Sequence, residues 1–505
     1  MNLVIKDAAW QIAWRLASAI GWFLVITLIT PYLWPLRFGD YSTILKYFAI
    51  WSAFADFGVY VIALKELGVL KSSSEDTSTK SVWQDKDILT ARFSKFVSLR
   101  ICMIVGVYTL ALVIAYLIPA YSSNPYLIWG LPLWLLFSAS FMGSWILQIP
   151  LQLFWKMEQV SIALILARVS QLWVIGATVY WLYTNPWFES GQGQSAFLMI
   201  IASVVVSGMV QLLYTRWQWS KYLSFQFNLD WEFFKRIIGW NWKYGFAYYL
   251  SSFHTLLVLM VFSWLYPTTQ WFTYVWVWAL ALSLIEIMLI VPSALGNSLI
   301  HDVSGNDRNS QKKRYSALLR LVTWIGGVVM IMCALFAPHV IQLMGWSDYL
   351  TSATSIGSDT ILPFLSFVLL LSFIRQVHNY LFVSTWHQNT LFGINLFGVT
   401  VWLIIWLPLI ITYGLWWGII TQILLEVLFL GGSLRVAHRQ KISLVFPRKI
   451  ALWWVTTACI SWIWVSEYLL QYSTSLTIRI PIALGCVSIL VWGSRNWLKR
   501  TMRQL

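Results

Sequence analysis

Residues 36–68 read LRFGDYSTILKYFAIWSAFADFGVYVIALKELG, and the architecture can be built outward from them. The stretch opens on a short polar turn holding Arg37 and Asp40, follows with an apolar run over 41–64, and closes on Lys65 and Glu66. A helix needs about 20 apolar residues to cross a bilayer. The run is long enough, and a second apolar run, 12–34, precedes the turn. The reading is two spanning helices joined by a short outer turn. Lys46 and Asp56 lie inside the second span, where charge is costly.

The rest of the chain agrees. Of its 505 residues, 59% are hydrophobic and 10% charged, with a mean hydropathy of +0.69. A soluble domain has about 45–50% apolar and about 25% charged residues. A water-soluble enzyme, a disordered chain and a nucleic-acid-binding chain are therefore excluded. The net charge of +15 fits cytoplasmic loops that retain Lys and Arg. Cys102, Cys333, Cys459 and Cys486 all lie in apolar runs without metal spacing, so neither a disulfide nor a metal site is expected. The run from Ile12 ends without a small-residue cleavage site and is expected to be a first span, not a signal peptide.

Apolar runs fall at 12–34, 41–64, 96–118, 126–149, 160–183, 196–215, 242–265, 271–299, 317–343, 358–383, 391–412, 415–434, 450–471 and 476–494. The expected architecture is all-α and polytopic, with about fourteen transmembrane helices. The loops support this count. Lys65, Lys71, Lys80, Lys86, Arg92 and Lys95 crowd one inner loop, Arg216, Lys221, Lys235 and Arg236 another, and Arg308, Lys312, Lys313 and Arg314 a third. Arg435, Arg439, Lys441, Arg448 and Lys449 follow, then Arg495, Lys499, Arg500 and Arg503 in the tail. The outer loops 119–125, 184–195, 266–270 and 344–357 contain no Lys or Arg. Positive charge marks the cytoplasmic side, so both termini are expected there. A reporter-fusion scan checks this; an extracellular signal from 300–316 contradicts it.

Residues 225–240 mix Phe225, Phe227, Trp231, Phe233 and Phe234 with Asp230, Glu232, Lys235 and Arg236, which suggests an interfacial amphipathic helix. The expected organisation is a six-helix bundle over 1–220, a linker helix over 221–240, a second six-helix bundle over 241–440, and two added helices with a basic tail over 441–505. Six being even, the bundles are expected as parallel pseudo-repeats.

No GxSxG, Walker, HExxH or Cys/His metal motif is present, so neither an enzyme nor a cofactor is expected. The informative residues are charges inside spans, which normally face a cavity or a partner. Arg37, Lys46, Arg168 and Arg375 are the candidate cavity cations. Asp56, Glu286 and Glu426 are the candidate cavity or coupling carboxylates. A cavity dominated by cations suits an anionic head group, since guanidinium and ammonium make strong bonds to phosphate. On this reading Arg375→Ala lowers transport more than expression.

The Gly39-Asp40-Tyr41 turn, the Asp56-Phe57-Gly58 triplet and Lys65-Glu66-Leu67 resemble the first helix pair of the polysaccharide transporter and oligosaccharide flippase family. Val291-Pro292-Ser293, Ala337-Pro338, Leu362-Pro363-Phe364 and Tyr413-Gly414-Leu415 resemble later helix ends of the same family. That family belongs to the multidrug/oligosaccharidyl-lipid/polysaccharide exporter superfamily. The resemblance implies two bundles around a central cavity with alternating access, in a bacterial inner membrane. The implied substrate is an anionic undecaprenyl-pyrophosphate-linked oligosaccharide for surface polysaccharide synthesis. The implied partners are the lipid bilayer and the glycosyltransferases and polymerase of the same pathway. Gly39, Tyr41, Asp56, Gly58 and Glu66 match motif positions and are read as fold determinants. The two added helices keep a lipid II flippase open, and a multidrug or cation antiporter shares the fold.

Trp is unusually common, at 35 against 27 Gly. Trp386 and Trp417 stand where that family usually has Gly, and small residues let spanning helices approach. This suggests UGA codons read as Gly in the source; UGG at both positions removes the idea.

Overall fold

The computed structural model describes residues 2–439 except 61, 64–65, 68–81, 155, 185–192, 266–268, 304–307, 346–348, 352–355 and 385–387. The expected helices at 450–471 and 476–494, and Trp386, lie outside the described residues. All regular structure among the described residues is helical: α1 Asn2–Asp56, α2 Val82–Leu117, α3 Pro125–Leu153, α4 Met157–Thr184, α5 Gln194–Trp219 and α6 Trp231–Leu265. There follow α7 Thr269–Val303, α8 Arg308–Gly345, α9 Ser358–Ser384, α10 Gln388–Val401, α11 Leu407–Tyr413 and α12 Leu415–Arg439. A single turn, Pro119–Ser122, joins α2 to α3. Helices thus occupy the first twelve expected spans. Eight are long and apolar enough to cross a membrane by length and composition, and the chain is a multi-pass membrane protein.

The contacts form two units, Met1–Phe272 and Thr273–Leu505. In the first, α1 spans 55 residues, about 82 Å if straight. Its contacts exclude a straight rod. Arg168 of α4 donates to Ser18 at 3.3 Å and interacts electrostatically with Tyr41. Those two residues would be over ~30 Å apart on one straight helix. The helix therefore bends between them, where Pro31 and Pro35 lack the N–H that a helix interior needs. The helix runs on through 35–40, where a turn between two spans was expected, and Arg37–Asp40 at 3.0 Å and Asn124 Nδ2 to Asp40 Oδ1 at 2.8 Å tie this stretch to the start of α3.

The second arm of α1 runs antiparallel to α2 and along α3. Tyr47 donates to Ala111 O at 2.5 Å, and Ser52 and Tyr108 hydroxyls lie 2.8 Å apart. Tyr41 meets Trp134 edge-on at 5.4 Å. Glycine permits the closest approach: a Cβ on Gly130 would lie 2.5 Å from Ile44 Cδ1 and 2.9 Å from Ile201 Cδ1. Without a strong hydrophobic force between helices in lipid, such close packing is what holds them.

Two further stretches depart from the sequence reading. α2 starts at Val82, inside the expected loop 65–95, because a helix in water needs no apolar run. Residues 223–230 are not helical, and α6 runs on unbroken from Trp231 through the expected span. Residues 241–265, read as opening the second bundle, pack on the first unit. Trp264 Nε1 donates to the Tyr121 hydroxyl at 2.6 Å, and that hydroxyl lies 3.2 Å from Ser263 Oγ.

In the second unit, α10 passes through a π-helical turn, Trp402–Trp406, before α11. Pro408 cannot donate to Ile404 O, and Leu407 N–H bonds Trp402 O instead. A Cβ on Gly398 would collide with the Phe429 ring. Gly398→Ala is therefore expected to cost about 1–3 kcal/mol, read as a lower thermal midpoint of the purified protein.

Candidate functional site

Several of the intramembrane charges form arginine–carboxylate pairs. Asp56 ends α1 at a break where Phe57 and Gly58 both take positive φ, 43° and 74°. Arg100 of α2 is completely buried and closes this break. It donates to the orphaned Ala55 carbonyl at 2.9 Å, pairs with the Asp56 carboxylate, and reaches Met142 Sδ of α3 at 3.2 Å. The sequence reading missed Arg100 because it sits near the edge of an apolar run. Its position one helix away from Asp56 was the available signal. Gly58→Ala is expected to cost about 1–2 kcal/mol through the left-handed backbone, again read as a thermal midpoint.

Arg375 of α9 and Glu426 of α12 form a bidentate pair in the second unit. Nε lies 2.7 Å from Oε2 and Nη2 lies 3.0 Å from Oε1, and Ser372 donates to Oε1 at 2.8 Å. Both are buried, at 7% and 1% exposure. The Phe429 ring lies 5.3 Å from the Arg375 guanidinium. Thus a candidate cation and a candidate carboxylate neutralise each other. His378, one turn on, donates from Nδ1 to Ile374 O, 2.9 Å away, and its buried Nε2 has no partner among the described residues.

Arg37 sits within α1 over the Tyr126 ring, 3.5 Å from its centroid, besides its pair with Asp40. Lys46 is buried within the second arm of α1, and Glu286 is half-buried in α7.

Arg168 differs. It lies mid-way along α4, facing the first arm of α1, where Gly21 lets the helices close in: a Cβ there would sit 3.2 Å from Arg168 Cβ. Its guanidinium donates from Nη1 to Gln171 Oε1 at 2.7 Å and from Nε to Ser18 Oγ at 3.3 Å. The Trp22 ring lies 5.2 Å away. Among the described residues it has no carboxylate partner. Nearby, the Tyr41 hydroxyl and Gln171 Nε2 are buried without a hydrogen-bond partner. The surroundings of Arg168 are therefore rich in donors and poor in negative charge. The sequence reading placed Arg168 among the candidates, but not Ser18, Trp22, Gln171 or the Tyr41 hydroxyl that surround it. Gln171 at i+3 on the same helix was the one readable signal.

Near the start of α2, Arg92 pairs with Glu66 at 2.9 Å and Lys95 with Asp230 at 2.6 Å. The Lys95 ammonium and the Phe233 amide hold the Asp230 carboxyl below its ordinary range. A depressed folded pKa contributes stability above the unfolded pKa, lost as pH falls through the folded value. Removing the charge with Asp230→Asn is therefore expected to flatten the acid side of the stability–pH profile.

No cluster of His, Cys, Asp and Glu that could hold a metal occurs among the described residues.

No family model and no curated protein matches the chain. Solved structures do. The chain is similar to an inward-facing multidrug resistance MATE family transporter of the MOP superfamily, with a TM-score of 0.63 and 14% identity over 86% of this chain and 99% of that one. It is similar to lipid II flippase MurJ in an inward closed conformation, with a TM-score of 0.65 and 13% identity over 97% and 99%. It is also similar to a MOP superfamily transporter from Pyrococcus furiosus described as having a binding pocket of reverse polarity, with a TM-score of 0.59 and 15% identity over 86% and 95%. The chain thus has the helical fold of the MOP superfamily transporters.

Proposed function

We propose that the protein is a flippase or exporter that moves an anionic, pyrophosphate-linked lipid oligosaccharide across the membrane by alternating access. The observation that carries this reading is Arg168. A charge at the membrane centre costs about 2.5–3.5 kcal/mol on insertion scales, and among the described residues only neutral groups answer it. A transient anionic ligand would recover that cost through charge-assisted bonds to phosphate oxygens. Tyr41 and Gln171 would add donors to the same oxygens. On this reading Arg168 is the main substrate cation. Arg37 and Lys46 are secondary ones. Arg375 and Glu426 form a structural pair, and Asp56 serves the α1 break.

An exporter of cationic drugs would need a carboxylate free to receive cations. Asp56 and Glu426 are instead held by arginines, which disfavours that reading. A lipid II flippase remains a second reading, favoured by the 97% coverage of this chain in the MurJ comparison. Both substrates carry a lipid pyrophosphate, so Arg168 serves either.

The test is cellular. Strains blocked in flipping either a lipid-linked surface oligosaccharide or lipid II receive the gene, with growth and surface polymer as readouts. Rescue of the first strain alone supports the proposal. Rescue of the second alone transfers the reading to lipid II. Protection from cationic dyes, with neither strain rescued, refutes both.

A further inference from the structure

We propose that residues 216–236 form a docking surface for anionic phospholipid head groups at the membrane end where α5 leads into α6. The link between α5 and α6 is an extended segment fastened to α2. Gln226 N donates to Ser94 Oγ at 3.2 Å and Asn228 N to Ser98 Oγ at 2.9 Å, one helical turn apart on α2. Asp230 then pairs with Lys95 and caps α6 through Phe233 N at 2.9 Å. The Phe96 and Phe233 rings meet edge-on at 5.0 Å. The segment is thus held at both ends and in the middle.

Its side chains are nonetheless bare. Phe225, Phe227, Leu229 and Trp231 recur at every second residue, and they are 37%, 57%, 60% and 68% exposed. Extended chains send alternate side chains to one face, so these four form an apolar comb beside the end of a spanning helix. Cations flank the comb. Lys221 Nζ stands 4.1 Å from the Trp217 ring centroid, and Lys235 Nζ stands 6.0 Å from that of Trp231. Arg216 and Arg236 are also exposed. Among residues 216–236, Glu232 is the one carboxylate besides the paired Asp230. Aromatic rings interleaved with Lys and Arg suit the head-group layer, where rings sit among glycerol and acyl carbons and cations meet phosphate. A soluble acidic partner would match the cations but leave the comb in water. The lipid surface answers both features, which decides the occupant.

The test is native mass spectrometry of the full-length protein, purified in detergent with equal phosphatidylglycerol and phosphatidylcholine. The wild type is expected to retain phosphatidylglycerol in preference. The preference should weaken with added salt, as screened charge requires. The variant Arg216→Gln/Lys221→Gln/Lys235→Gln/Arg236→Gln is expected to lose the preference by roughly tenfold or more. Phe225→Ser/Phe227→Ser is expected to lower total lipid retained. Equal retention of both lipids by the wild type overturns the proposal, and so does an undiminished preference in the charge variant. Should that variant fail to fold, Lys221→Gln and the salt series on the wild type take its place. A preference that neither of them weakens then overturns the proposal. The proposal stands independently of the transported substrate.

Discussion

Glu426→Ala is expected to cost the second unit about 3–5 kcal/mol, because it strands a buried guanidinium. Arg375 makes both of its carboxylate bonds to Glu426, with Ser372 completing the cluster. No water in the hydrocarbon can replace that carboxylate. The expected result is a large fall in the thermal midpoint and in the yield of monodisperse protein. The double variant Arg375→Met/Glu426→Met removes both charges together and is expected to recover most of the loss. A single variant as stable as the wild type would contradict the pairing. The same geometry changes the expectation for Arg375→Ala. It now predicts loss of folded protein along with loss of transport, since Glu426 would be stranded in turn.

Arg168→Gln is expected to behave in the opposite way. Its partners are neutral, and Gln can still bond to Ser18 or Gln171. Folding should therefore be close to wild type. Transport is expected to fall by about 10–100-fold, equivalent to one charge-assisted hydrogen bond of about 1.5–3 kcal/mol. Arg168→Lys keeps the charge but not the planar fork, so it should fall between. Initial rates in proteoliposomes, set beside thermal midpoints of the same preparations, separate the two kinds of loss. Equal falls in rate and stability would make Arg168 a structural residue.

Much of the fold was legible because lipid imposes a simple rule. Spans must be apolar and helical, and Lys and Arg mark one side. That rule placed helices over the first twelve expected spans, although α1 runs on through the turn expected at Arg37. It said nothing about helices in water, so the start of α2 at Val82 was missed. The stretch 225–230 was misread by its period, whereas 231–240 is helical as expected. Phe225, Phe227, Leu229 and Trp231 repeat every second residue, an extended pattern, whereas composition alone suggested an amphipathic helix. The anchors that hold it, Ser94 and Ser98, lie 132 and 130 residues away in the chain.

The candidate site was legible as a list but not as a set of pairs. Hydropathy shows that a charge lies inside a span. It does not show which face the charge occupies or what stands opposite. Arg375 and Glu426 are 51 residues apart, and Asp56 and Arg100 are 44 apart. Only packing reveals that these charges cancel and that Arg168 has no carboxylate partner among the described residues. The Trp excess is a separate matter. Trp417 is accommodated half-buried, its ring 5.6 Å from Tyr413, and the codon decides its identity.

The proposed transport depends on Arg168, which has no carboxylate partner among the described residues, receiving a lipid pyrophosphate. Flipping of a fluorescent undecaprenyl-pyrophosphate-linked oligosaccharide in proteoliposomes, followed by quenching from outside, measures that event itself. The wild type is expected to flip the lipid and Arg168→Gln to flip little of it. A marked drop is expected when the pyrophosphate is replaced by a neutral linkage. Flipping that ignores both Arg168 and the charge of the linkage would refute the role of Arg168.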